Sequence, residues 1–188
     1  MADTVLKTAN PAPLGLLGFG MTTVLLNLAN VEIFKVDVMI IAMALFVGGL
    51  AQFVAGMWSF RQGNTFNATA FSAYGVSWWC IALINTNPDF LNIGTASNIA
   101  MAFFWLCWSV FTACMFCGTL KGPNGVKVVF ATLAILYLLL ALQSFDQGNS
   151  TWGFIAGIDG ILCGGSAMYA AVGFVLRDTY NKKVLPGV

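Results

Sequence analysis

The sequence predicts an all-α membrane protein with six transmembrane helices. Composition, the length of the apolar runs and the distribution of basic residues carry that prediction. Of 188 residues, 59% are hydrophobic and only 8% are charged, with a mean hydropathy of +0.85. A soluble domain carries about 25% charge and about 45–50% apolar residues. Eight basic and seven acidic side chains cannot give a globule of this length a solvated surface. The net charge of +1 excludes a polybasic nucleic-acid binder. The absence of histidine removes His-based metal sites and catalytic triads. No catalytic residue, metal or cofactor is expected.

Crossing a hydrocarbon core of about 30 Å takes roughly 17–25 helical residues. Six runs fit, at about Pro13–Leu28, Asp37–Phe60, Ala68–Thr86, Thr95–Leu120, Lys127–Phe145 and Trp152–Leu176. Polar and turn-forming residues separate them, at Asn30 to Lys35, Arg61 to Asn67, Asn87 to Asn92, Lys121 to Gly125 and Asp146 to Ser150. The runs are long and lack the alternation of membrane strands, which favours helices over a barrel.

Lys7, Arg61, Lys121, Lys127, Arg177, Lys182 and Lys183 fall on one side of this arrangement, and only Lys35 on the other. Seven against one in short loops predicts cytoplasmic termini and an even number of spans. The whole chain, 1–188, reads as one six-span domain with short cytoplasmic tails at about 1–9 and 177–188. No cleavable signal peptide is expected, because a polar, proline-bearing segment precedes the first run. No loop is long enough for a soluble catalytic domain.

The last span carries Gly153, Gly157, Gly160, Gly164, Ala167 and Ala171 in steps of four and three, a continuous small-residue stripe. Ala42, Gly49 and Gly56 repeat the theme in the second. Such stripes let helix backbones approach closely in lipid, either within one subunit or between subunits. Trp58, Trp78, Trp79 and Trp152 read as interface anchors, and Trp105 and Trp108 as packing residues. The five cysteines read as small apolar residues within spans.

Intramembrane polar residues are functional candidates. They are Thr22, Thr23 and Asn27 in the first span, Gln52 in the second, Thr69, Ser72, Tyr74 and Ser77 in the third, and Asp159 and Ser166 in the sixth. No Lys or Arg falls deep within a span, so the expected route carries no fixed countercharge. Hydroxyls, amides and one phenol suit weak, fast passage of a small solute. Asp159 reads either as a hydrogen-bonded group near the outer interface or as a vestibule or proton-linked group.

Asn10-Pro11-Ala12-Pro13-Leu14-Gly15-Leu16 is the most informative stretch. Its prolines force an extended approach to the first helix, Pro13 suits the first helical turn, and an asparagine before it can cap. The segment reads either as a plain cap or as non-helical backbone lining a substrate vestibule.

That motif, together with Gly18-Phe19-Gly20-Met21-Thr22-Thr23, Gly49-Leu50-Ala51-Gln52, Gly63-Asn64-Thr65-Phe66, Ala70-Phe71-Ser72-Ala73-Tyr74-Gly75, Gly118-Thr119-Leu120-Lys121-Gly122 and Cys163-Gly164, resembles the acetate uptake transporter family in order and spacing over nearly the whole chain. The resemblance implies six helices around a central pathway in each subunit and passage of acetate and related short carboxylates, with succinate handled by some members. It also implies a homohexameric ring in the prokaryotic cell membrane. It implies an apolar constriction at Phe19, Tyr74 and Leu133. Those three lie six residues after the predicted starts of the first, third and fifth spans, a rise of about 9 Å in each. Two departures stand out: Asp159 replaces an apolar residue of the enteric relatives, and Phe174 replaces their glutamate. The loop from Asn87 to Asn98 shows little of the family pattern.

The expected substrate pathway thus uses Asn10, Pro11, Pro13, Thr22, Asn27, Gln52, Ser72 and Tyr74, with Phe19, Tyr74 and Leu133 limiting size. Expected partners are acetate and small carboxylates, the lipid bilayer and further copies of the chain, with no nucleic acid. A channel for formate or urea is the alternative.

Overall fold

A computed structural model describes residues 8–86 and 94–188. Lys7 and the predicted break at Asn87 to Asn92 lie outside the described residues. Among the described residues six helices follow one another: α1 (Ala12–Asn30), α2 (Val38–Arg61), α3 (Thr65–Thr86), α4 (Asn98–Thr119), α5 (Asn124–Phe145) and α6 (Ser150–Tyr180). Among the described residues, five are long and apolar enough to cross a membrane; α3 is not one of them.

Local chemistry sets the ends. Asn10 Oδ1 accepts from the Ala12 amide at 3.0 Å, so the asparagine of the N-terminal motif caps α1 from two residues back. Asp37, Ser97 and Asn149 do the same for α2, α4 and α6, each occupying an amide that the helix leaves unpaired. Gly63, at φ +70°, turns α2 into α3. Asn181, at φ 52°, closes α6 in the left-handed region that asparagine tolerates.

Two features depart from the sequence reading. Helices α3 and α5 begin three residues earlier than predicted, and α6 runs four residues further, through Arg177 and Asp178. These ends are polar, which made them look like loops. The second departure is inside α2, where Met43–Ala51 winds as a π-helix. Its wider turn presents backbone carbonyls to neighbouring side chains. Trp79 Nε1 donates to the Leu45 carbonyl at 2.9 Å, and a Cβ on Gly18 would collide with the Val47 carbonyl.

The small-residue stripes pack largely within the chain, although Ala42 of the second is exposed. A Cβ on Gly157 would meet Val31 and one on Gly160 the Asn27 amide, while a Cβ on Gly20 would lie 2.7 Å from the Gly164 carbonyl and one on Gly164 2.7 Å from the Gly20 carbonyl. Gly157, Gly160 and Gly164 are therefore seated on α1, while Gly153 faces Gln143 of α5. On α2, Gly49 faces Trp79 and Gly56 faces Ser72, both on α3. The expected anchors Trp78 and Trp79 are accordingly packing residues: Trp78 is buried against Gly48, and Trp79 is held by α2. Trp58 keeps an exposed ring under the Arg61 guanidinium. Trp105 and Trp108 pack in the core, the former stacked on Tyr137 at 5.8 Å.

Candidate functional site: two cavities and an aromatic plug

The start of α1 meets the starts of α3 and α5 and the end of α6 around a cavity of about 340 Å³. This is the end of the bundle that carries Arg61, Lys121, Lys182 and Lys183. Asn10, Asn64, Asn67, Thr119 and Arg177 supply its polar wall, and Leu16, Phe71 and Phe130 its apolar floor. The volume falls within the usual range for small-molecule sites.

Arg177 is the cation of this mouth. Its guanidinium lies 4.7 Å over the Phe174 ring, and its Nε sits 3.3 Å from Asp178 Oδ1. Asp178 Oδ2 in turn accepts from Asn10 Nδ2 at 3.2 Å. This chain ties the last turn of α6 to the cap of α1. The sequence reading put Arg177 in the tail and expected a route without a fixed countercharge. The longer α6 moves Arg177 from the expected tail onto the wall of this mouth, over Phe174 and paired with Asp178.

On the far side lies a second, much smaller cavity of about 30 Å³, room for about one water. Phe19, Leu133, Leu136 and Trp78 line it with the polar side chains of Thr23, Asn27 and Asn30. Asn30 Nδ2 donates to Asn27 Oδ1 at 3.0 Å, and Asn27 Nδ2 donates to the Thr23 carbonyl at 2.9 Å. The Thr23 hydroxyl is buried and has no partner among the described residues.

The cavities are separated by one helical turn. Leu16 and Phe130 line the larger, and Phe19 and Leu133, three residues on, line the smaller; three residues rise about 4.5 Å. Tyr74 fills the partition. Its ring centroid lies 6.3 Å from Phe19, 6.1 Å from Phe130, 5.7 Å from Trp108 and 5.6 Å from Phe111. Phe19, Tyr74 and Leu133 are each at most 3% exposed and belong to one apolar cluster.

Of the predicted pathway residues, Asn10 lines the wide cavity, Pro13 lies outside it in a neighbouring surface recess, Pro11 is buried beside them, and Asn27 lines the far cavity. Thr22, Gln52 and Ser72 line neither cavity. Thr22 is fully buried, donates to the Gly18 carbonyl at 2.9 Å, and lies 3.4 Å from the Met43 carbonyl at the head of the π segment. Ser72 Oγ faces Gly56 between α2 and α3, and Gln52 is 1% exposed at the end of the π segment. The Oγ of Ser72 and Oε1 of Gln52 are buried without a partner among the described residues. Asp159 is half-buried on α6, lines neither cavity, and has one carboxylate oxygen buried without a partner among the described residues. Sequence reasoning overlooked Arg177, Asn64, Asn67 and Thr119 at the wide end. Each sits where a loop was expected or beside one, and a polar residue near a loop carries no signal of facing inward.

This geometry has close relatives. The chain is 46% identical over 181 residues to the succinate-acetate/proton symporter SatP of Escherichia coli K12, covering 96% of this chain and 95% of the symporter. It is 34% identical to acetate permease A of Emericella nidulans, covering 96% of this chain and 66% of the permease. An uncharacterised protein of Methanothermobacter thermautotrophicus is 42% identical, with 96% of this chain and 91% of that protein covered. A solved structure of the bacterial acetate channel SatP superposes with a TM-score of 0.93 at 44% identity, covering 97% of this chain and all of that one. The model of the GPR1/FUN34/yaaH family matches residues 2–186, and the chain belongs to that family.

Proposed function

We propose that this chain is a transmembrane passage for acetate and related short carboxylates. The observation that carries the proposal is the pair of cavities in line, parted by an apolar plug one turn thick. Relatives named for succinate and acetate supply the substrate class. A carboxylate would gather at the wide mouth, where Arg177 and the amides of Asn10, Asn64 and Asn67 replace part of its hydration. Beyond the plug, Thr23, Asn27 and Asn30 would rehydrate it. Dehydrating a charged group without hydrogen bonds is costly, so the plug restricts passage to small acids. No bond is made or broken in this scheme, and the chain acts as a conduit rather than an enzyme.

The proposal includes six spans with both termini in the cytoplasm of a prokaryotic cell, the wide mouth facing inward. Helix α3 has 22 residues, about 33 Å and enough to span. Its low hydropathy fits its place: Asn67 lines the mouth, and Ser77 and Tyr74 are buried. A homohexamer is part of the same reading. Phe103, Val110, Cys107 and Cys114 on α4 are exposed and offer an apolar face for lipid or a neighbouring copy.

Labelled acetate should enter liposomes containing the purified protein and no others, with no saturation in the micromolar range. Absence of flux, or competition by formate or urea as strong as by acetate, would replace this reading. Net current carried by acetate would mark a channel; electroneutral uptake with protons would mark a symporter.

Arg177→Gln should lower acetate flux about two- to five-fold at low substrate and low salt, the scale of a partly exposed charge. The difference should shrink as salt rises. An equal effect at all salt concentrations would show that Arg177 acts through packing on Phe174 instead.

A further inference from the structure

The polar end of the plug tyrosine is committed. Tyr74 Oη lies 2.9 Å from Thr112 Oγ1 on α4, and Thr112 Oγ1 lies 2.7 Å from the Trp108 carbonyl, to which it donates. A threonine hydroxyl has one proton. With that proton on Trp108, Tyr74 must donate and Thr112 must accept. Thr112 is fully buried and Tyr74 is 3% exposed, so solvent competes for neither. Helices α3 and α4 have little backbone contact, and their meeting at this level is made by the Tyr74 ring against Trp108 and Phe111. Among the described residues this bond is the polar link across that junction.

We propose that Thr112 is a positioning residue for passage: it holds the Tyr74 ring across the partition and thereby sets the size limit. The proposal rests on the reading of Phe19, Tyr74 and Leu133 as the constriction. Thr112 touches no solute in this scheme. Without its oxygen, the Tyr74 hydroxyl would be a buried donor lacking an acceptor, a state that folded proteins avoid. The nearest relief is water in the cavity on either side. The ring would then swing toward the pathway axis, and the partition would become wetter and looser.

The test measures acetate and butyrate fluxes in liposomes for Thr112→Val, Thr112→Ser, Tyr74→Phe and the Thr112→Val/Tyr74→Phe double variant. Valine preserves shape without the acceptor, and serine preserves the acceptor. Thr112→Val should raise the butyrate-to-acetate ratio about three- to ten-fold, the range of one hydrogen bond. Thr112→Ser should keep the wild-type ratio. Once the tyrosine hydroxyl is gone there is no donor to hold, so Thr112→Val should add nothing to Tyr74→Phe. A wild-type ratio in Thr112→Val, a Thr112→Ser ratio matching that of Thr112→Val, or additive effects in the double variant would each overturn the proposal.

Fluorine NMR of protein carrying fluorotyrosine gives a second readout that does not depend on flux. The Tyr74 resonance is the one that disappears in Tyr74→Phe. It should shift or broaden in Thr112→Val and hold in Thr112→Ser; an unmoved resonance would refute the tether. If the wild-type protein passed no acetate, the passage reading would fall, and the resonance alone would decide whether Thr112 holds the ring.

Discussion

Leu133→Ala should raise butyrate flux relative to acetate by roughly tenfold or more. A single methylene at a size-limiting apolar wall is worth about 10- to 200-fold in discrimination, and this change removes three carbons. Leu133 is 2% exposed and stands on the far-cavity side of the partition, one turn from Phe130 on the wide-cavity side. Shortening it thins the partition between the two spaces. The fold should also lose about 2–5 kcal/mol, the usual cost of a buried Leu→Ala change. That loss separates two outcomes. A variant with a lower thermal midpoint and a widened acid profile has an opened plug. A variant with the lower midpoint and an unchanged profile shows that Leu133 supports the core without bounding the passage. Phe19→Ala should widen the profile in the same direction, since its ring forms the other wall.

The resemblance, rather than any spacing, singles out Phe19, Tyr74 and Leu133, and counting from three predicted span starts only sets them at one level; the structure gathers them in one apolar cluster. Polar residues are harder, because a hydroxyl in a helix has a partner at hand in its own backbone. Thr22 illustrates this: its hydroxyl donates to the Gly18 carbonyl, while Thr23, one residue on, opens into the far cavity with no partner among the described residues. Nothing in the sequence separates the two. The π segment was equally illegible. Met43–Ala51 is a run of apolar residues and glycines whose winding depends on partners far along the chain, namely Trp79 at the Leu45 carbonyl and Gly18 against Val47. Arg177 is illegible for another reason: its charge signals orientation, and its place on the wall depends on α6 running on past Leu176.

Gly164→Ala should destabilise the chain, while Gly165→Ala should not. Both positions lie within α6, where alanine is favoured over glycine by about 1 kcal/mol. Any loss at Gly164 is therefore a loss of contact. A Cβ there would lie 2.7 Å from the Gly20 carbonyl and 2.9 Å from the Val24 amide, whereas a Cβ on Gly165 meets nothing within 4 Å. Besides the Val24 methyl, the opposing atoms at Gly164 are backbone, so a rotamer change alone cannot make room and α1 must move off α6. Overpacking of this kind costs about 1–3 kcal/mol. The lower thermal midpoint should persist in detergent that dissociates any oligomer, because both partners of the seam belong to one chain. If Gly164→Ala instead weakened only the assembly and left the isolated subunit as stable as Gly165→Ala, the stripe would be an intersubunit surface. The seam also bears on passage. Phe19 is adjacent to Gly20, and Asn27 rests on Gly160, so α1 carries one wall of the plug and part of the far cavity on the same face-to-face contact. A displaced α1 takes both with it, and Gly164→Ala should therefore relax acid selectivity in liposomes at temperatures well below its unfolding.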